Sequence, residues 1–77
     1  MIAASQLQDL IVSTLVKRVG GTQRRWRIAV GPVRLLDAAR YAHCNWSVTP
    51  AGTPRENSEI ERLLDQLRLD YPLAAPD

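Results

Sequence analysis

Two stretches of the chain carry the apolar period of a helix. Leu7, Leu10, Ile11, Thr14 and Leu15 occupy the i, i+3, i+4, i+7 and i+8 positions of one helical face. Ser5 and Gln8 have the spacing of a capping box, Lys17 and Arg18 fall where cations complement a helix C-terminus, and Gly20-Gly21 offers a positive-φ exit. A helix from about Ser5 to Val19 is predicted. The second stretch opens on Thr53-Pro54-Arg55-Glu56, with Thr53 as N-cap, proline at the first helical position and Glu56 three residues after the cap. Ile60, Leu63, Leu64 and Leu67 then line one face, and Pro72 ends the helix by about Leu69.

Between these helices the period changes to two. Trp26, Ile28 and Val30 alternate with Arg25, Arg27 and Ala29, and Cys44, Trp46 and Val48 alternate with Asn45, Ser47 and Thr49. Each run reads as a strand with a tryptophan on its buried side. Residues 33 to 43 are ambiguous, because Leu35, Ala39, Ala42 and Trp46 also have helical spacing. A helix there would leave almost no connecting residues, whereas Gly31-Pro32 suits a hairpin turn, so the segment is read as a strand with a bulge near Leu35-Leu36. The expected fold is α+β: a helix, a three-stranded antiparallel β-meander and a second helix (αβββα), with both helices on one face of the sheet. The expected domain is single, spanning residues 1–77, with an ordered core over about 5–70 and a flexible tail at 71–77.

The αβββα order is shared by double-stranded-RNA-binding domains. Those domains begin their second helix with a lysine cluster, where this chain has Thr53-Pro54-Arg55-Glu56 and continues acidic, so the sequence is not assigned to that family.

Composition adds an asymmetry of charge. Residues 1 to 43 hold seven basic residues and two acidic ones, a net +5, and residues 44 to 77 hold three and six, a net −3. One surface of such a chain can bind a polyanion, or its basic half can bind the acidic half of another copy. Cys44 is the only cysteine and His43 the only histidine, which excludes an internal disulfide framework and a structural zinc site built by this chain alone. No apolar run reaches the ~18 residues of a membrane span, and no basic n-region of a signal peptide opens the chain. A soluble cytoplasmic protein, complete as it stands, is expected.

Candidate chemistry is sparse. His43 and Cys44 are adjacent, so on a strand they point to opposite faces and form no dyad. The acids Glu56, Glu59, Glu61 and Asp65 share their helix with Arg55, Arg62 and Arg68, the pattern of a solvated face. No enzyme, cofactor, metal or small-molecule ligand is indicated. What remains is the arginine cluster of Thr22-Gln23-Arg24-Arg25-Trp26-Arg27. With Trp26 facing the helices, Arg25 and Arg27 face the open side of the sheet beside Asn45, Ser47 and Thr49, which suits phosphate contacts.

Two non-enzymatic roles follow. One is a nucleic-acid-binding or regulatory module contacting phosphates through Arg24, Arg25, Arg27, Arg34, Lys17 and Arg18. The other is a protein-interaction module, acting as a homodimer or as an adaptor for another protein.

Overall fold

A computed structural model describes residues 1–37, 39–41 and 43–77. The elements in chain order are β1 (Ile2–Ala3), α1 (Ala4–Arg18), α2 (Gln23–Val30), β2 (Arg34–Leu35), β3 (Trp46–Ser47), α3 (Pro54–Asp70) and β4 (Ala74–Ala75). The three-stranded antiparallel meander between two helices is therefore not formed. In its place are a third helix and two short ladders, β1–β4 parallel and β2–β3 antiparallel.

The largest correction concerns residues 23–30, expected as a strand and observed as α2. Thr22 is its N-cap, with its side-chain oxygen accepting the Arg25 N–H at 3.1 Å, and Gly31 ends it at φ 68° with Pro32 following. Trp26, Ala29 and Val30 are buried, an i, i+3, i+4 set, while Ile28 stands 56% exposed. Burial of Ala29 in place of Ile28 distinguishes the helical period from alternation. A helix of eight residues is marginal in isolation, so α2 depends on its tertiary contacts. One of them is the indole N–H of Trp26, which donates to the Gly20 carbonyl at 2.7 Å.

Gly31-Pro32 is thus a helix terminus and not a hairpin turn. Of the expected middle strand, Arg34–Leu35 alone is a strand among the described residues; it pairs with β3 in the register Arg34↔Ser47 and Leu35↔Trp46. The expected strand at 44–49 is reduced to Trp46–Ser47. Ala38 and Ala42 lie outside the described residues. Beyond β2 the Asp37 carbonyl accepts from Arg40 and Tyr41, and its carboxylate accepts from the Ala39 N–H, the local bonding that favours a turn over a continued strand.

The long helices follow their apolar periods. α1 buries Leu7, Ile11, Val12 and Leu15; α3 buries Ile60, Leu63, Leu64 and Leu67. Together with Trp26, Ala29, Val30, Trp46, Val48 and Ala74 these side chains form one core, in which α1 packs on both α2 and α3. The capping box of α3 forms as its spacing predicts, with Thr53 Oγ1 accepting from Glu56 N–H and Glu56 Oε1 accepting from Thr53 N–H. The Ser5/Gln8 box of α1 does not. The helix starts one residue earlier, Gln6 caps the Ala3 N–H, and Gln8 Nε2 donates instead to the Gly31 carbonyl at 2.8 Å. Ser5 turns to the far end of the chain: its N–H and hydroxyl both donate to Asp77 Oδ1, at 3.0 and 2.7 Å. A carboxylate there meets the partial positive charge of the helix N-terminus.

Residues 71–77 run back across the molecule. β4 pairs with β1 in the register Ile2↔Ala74 and Ala3↔Ala75, and the Ala74 side chain is buried. Asn45, expected to face outward, is buried beside them. Its amide donates to the Ala74 carbonyl and accepts the Ala74 N–H, both at 2.8 Å. Its own backbone N–H donates to Pro72 O and its carbonyl accepts from Leu36, while Trp46 Nε1 donates to Tyr71 O. Asn45 thereby joins the two ladders into one hydrogen-bonded run, β2–β3–β4–β1.

Asn45→Ala leaves both backbone groups of Ala74 buried without a partner, and a loss of about 3 kcal/mol is expected, equivalent to a fall of roughly 15 °C in Tm for a domain of this size. Asn45→Asp at neutral pH sets a carboxylate oxygen against the Ala74 carbonyl and should be at least as damaging. Thermal melts of the two variants followed by circular dichroism check this, and a change under about 3 °C would show that Asn45 does not hold the tail.

Candidate functional site

The arginine cluster does not form a sheet face. On α2 its side chains diverge, because successive residues of a helix are about 100° apart. Arg25 reaches α3: Nε donates to Glu56 Oε2 at 2.9 Å and Nη2 to Glu56 Oε1 at 2.6 Å, a two-pronged ion pair. Arg27 reaches α1, where Nη2 donates to Asp9 Oδ1 at 2.9 Å and Nη1 approaches Gln8 Oε1. One arginine on each flank thus ties this short helix to its neighbours. The charge of each is matched by a carboxylate of the same chain.

Glu56 is the centre of the α2–α3 junction. The Arg25 guanidinium, and next the N–H of Thr53, hold its carboxyl well below the ordinary carboxylate range, at about 2. The loop before α3 passes close by, with the Ala51 N–H donating to the Ala29 carbonyl. At Gly52 a Cβ would stand 2.6 Å from Glu56 Oε1 and 3.0 Å from the Cβ of Ala29, so only glycine lets the loop, α2 and the cap of α3 meet here.

The other predicted cations are distributed over the molecule. Lys17 and Arg18 lie in the last turn of α1, where Arg18 borders a depression shared with Glu59 and Arg62 of α3. Arg34 lies on β2, opposite Ser47. Among the described residues, Lys17, Arg18, Arg24 and Arg34 have no carboxylate within 4.0 Å. Of the six, the structure brings Arg24 and Arg27 together: with Gln23 and Ile28 they line a shallow depression on the outward side of α2. The expected companions Ser47 and Thr49 do not share a sheet face with α2, and Asn45 is turned inward.

His43 is exposed, and the Cys44 thiol is half-buried, donating to the Trp46 carbonyl at 3.4 Å. Among the described residues no three His, Cys, Asp or Glu side chains are grouped to hold a metal, and no helix is long and apolar enough to cross a membrane.

Ile28, expected on the buried side of a strand, is 56% exposed. This follows once Thr22 and Gly31-Pro32 are read as the two ends of a helix, which turns Ile28 outward one turn after Arg24. Leu69, one residue before the end of α3, is 80% exposed. No family model, curated protein or solved structure matches the chain at a significant level.

Two outcomes are expected at the α2–α3 junction. Because the folded-state pKa of Glu56 is depressed, its stabilisation is complete above its ordinary value near 4.5 and is lost as pH falls through about 2. Wild type should therefore exceed Glu56→Gln in stability by a margin that shrinks as pH falls through that window, measured by denaturant melts at several pH values. Gly52→Ala should destabilise by about 1 to 3 kcal/mol through overpacking, visible as a lowered denaturant midpoint with unchanged slope.

Proposed function

We propose that this chain is a small non-enzymatic protein-interaction module that meets its partner through the outward face of α2. The observation behind this reading is Ile28, a large apolar side chain 56% exposed on a helix whose other apolar residues are buried. Arg24 and Arg27 flank it, and arginine stems beside an exposed aliphatic anchor make a surface that can lose water to a protein and still satisfy charge at its rim. The role is placed in the cytoplasm, where a lone Cys44 and the lack of any disulfide are at home.

A second reading keeps phosphate binding, and the observation that favours it is that four of the six predicted cations, Lys17, Arg18, Arg24 and Arg34, have no carboxylate within 4.0 Å among the described residues. Arg25 and Arg27 are poor members of such a grip, since each would have to leave Glu56 or Asp9 to reach a phosphate. On this reading Arg24→Ala lowers the salt dependence of oligonucleotide binding by about one counterion and Ile28→Asp has little effect.

A photo-crosslinking residue placed at position 28, with one at the exposed Tyr41 for comparison, tests the choice in the cells that make the protein. A discrete protein adduct from position 28 and not from position 41 is the expected result. A nuclease-sensitive adduct would favour the second reading, and no discrete adduct from position 28 would overturn the first.

A further inference from the structure

The outward faces of two helices in this chain carry matching patterns. On α2, Arg24 precedes exposed Ile28 by four residues; on α3, Glu61 and Asp65 precede exposed Leu69 by eight and four. Four residues of helix span about 6 Å, so with the two helices side by side and parallel, Arg24 comes level with Asp65 when Ile28 comes level with Leu69. Within one molecule these faces remain separate, as the exposure of Ile28 and Leu69, at 56% and 80%, shows.

Resting on the interaction reading given above, we infer that the partner is a second copy of this chain. The outward face of α2 in one copy docks on the Glu61-Asp65-Leu69 stripe of α3 in the other. The charge of the chain is divided in the same sense, +5 over residues 1 to 43 and −3 over 44 to 77. Asp65 already accepts from Arg68 at 3.1 Å, but this is an exposed i, i+3 pair whose carboxylate is 78% accessible, and such pairs exchange partners at little expense. Glu61 has no cation within 4.0 Å among the described residues, and Arg62 beside it leans towards Glu59. The apolar contact excludes water and the acidic pair selects the orientation. Two single-helix stripes make a smaller contact than the ~800 Å² per partner of a standard interface, so the association is expected to depend on concentration.

Sedimentation of the purified chain over about 10⁻⁵ to 10⁻³ M tests this directly. Wild type should rise above its monomer mass of 8.6 kDa with concentration, and more weakly at high salt. Ile28→Asp, with its thermal melt confirming the fold, should stay at monomer mass. Arg24→Glu alone, and Glu61→Lys with Asp65→Lys, should each associate at least tenfold more weakly. An equimolar mixture of those two proteins should regain wild-type association, because both of its α2–α3 contacts again join opposite charges. A wild-type chain that remains monomeric at the highest concentration, an Ile28→Asp variant that associates like wild type, or a mixture that fails to recover would overturn the proposal. The two failures are distinguishable: a crosslink from position 28 to a different protein would uphold the interaction reading while removing the second copy as the partner, and no discrete adduct from position 28 would remove the interaction reading itself.

Discussion

A primary amide sets an N–H donor beside a carbonyl acceptor much as a strand presents them, and the Asn45 side chain directs both at the same residue. Its two bonds to Ala74 replace a strand partner that the chain does not otherwise supply. Because the β-ladders are only two residues long, neither would hold a layer together unaided. Asn45 links them, and the same residue's backbone reaches Leu36 on one side and Pro72 on the other. The burial of Ala74, the placement of Asp77 on the start of α1 and the bond from Trp46 to Tyr71 all depend on the C-terminal residues staying where Asn45 holds them. A buried amide with every polar atom paired gives this small core a specific geometry that apolar contacts would leave loosely defined.

The arginines of α2 belong to the same logic of holding short elements in place. An eight-residue helix has few internal bonds, so it is fixed by Trp26 within the core and by Arg25 and Arg27 on its flanks. The Arg25–Glu56 pair is also part of the cap of α3, which makes the orientation of α2 and the start of α3 one cooperative unit. With those two arginines engaged inside the molecule, Arg24 and Ile28 are left to face outward, and the functional reading moves from a basic patch to a mixed apolar and cationic face.

Much of the helical framework was legible because α1 and α3 are long enough for their periods to be unambiguous, and because Thr53-Pro54-Arg55-Glu56 carries its cap within four residues. α2 was misread because two turns of helix contain too few apolar residues: Trp26, Ile28 and Val30 suit a strand as well as Trp26, Ala29 and Val30 suit a helix. The local terminus signals at Thr22 and Gly31 were the deciding information. Other features have no local signature at all. The partners of Arg25 and Arg27 lie 31 and 18 residues away, and that of Asn45 lies 29 away, so their pairing is a property of the packed chain. Because residues 23–30 are helical, the sheet face expected to carry the arginines is not formed, and their side chains diverge around α2 instead.

The pairing of Ile2–Ala3 with Ala74–Ala75, and of Ser5 with Asp77 across 72 residues, has a kinetic meaning. Contacts between the two ends of a chain enclose nearly all of it in one loop, so they form after the helices have found one another. Interactions made late lie on the native side of the folding barrier: they scarcely alter how fast the chain folds and they set how slowly it opens. The short parallel pair therefore acts as a latch on the lifetime of the folded molecule, and a chain that lacked it would reach its three-helix core at much the same speed and lose it sooner.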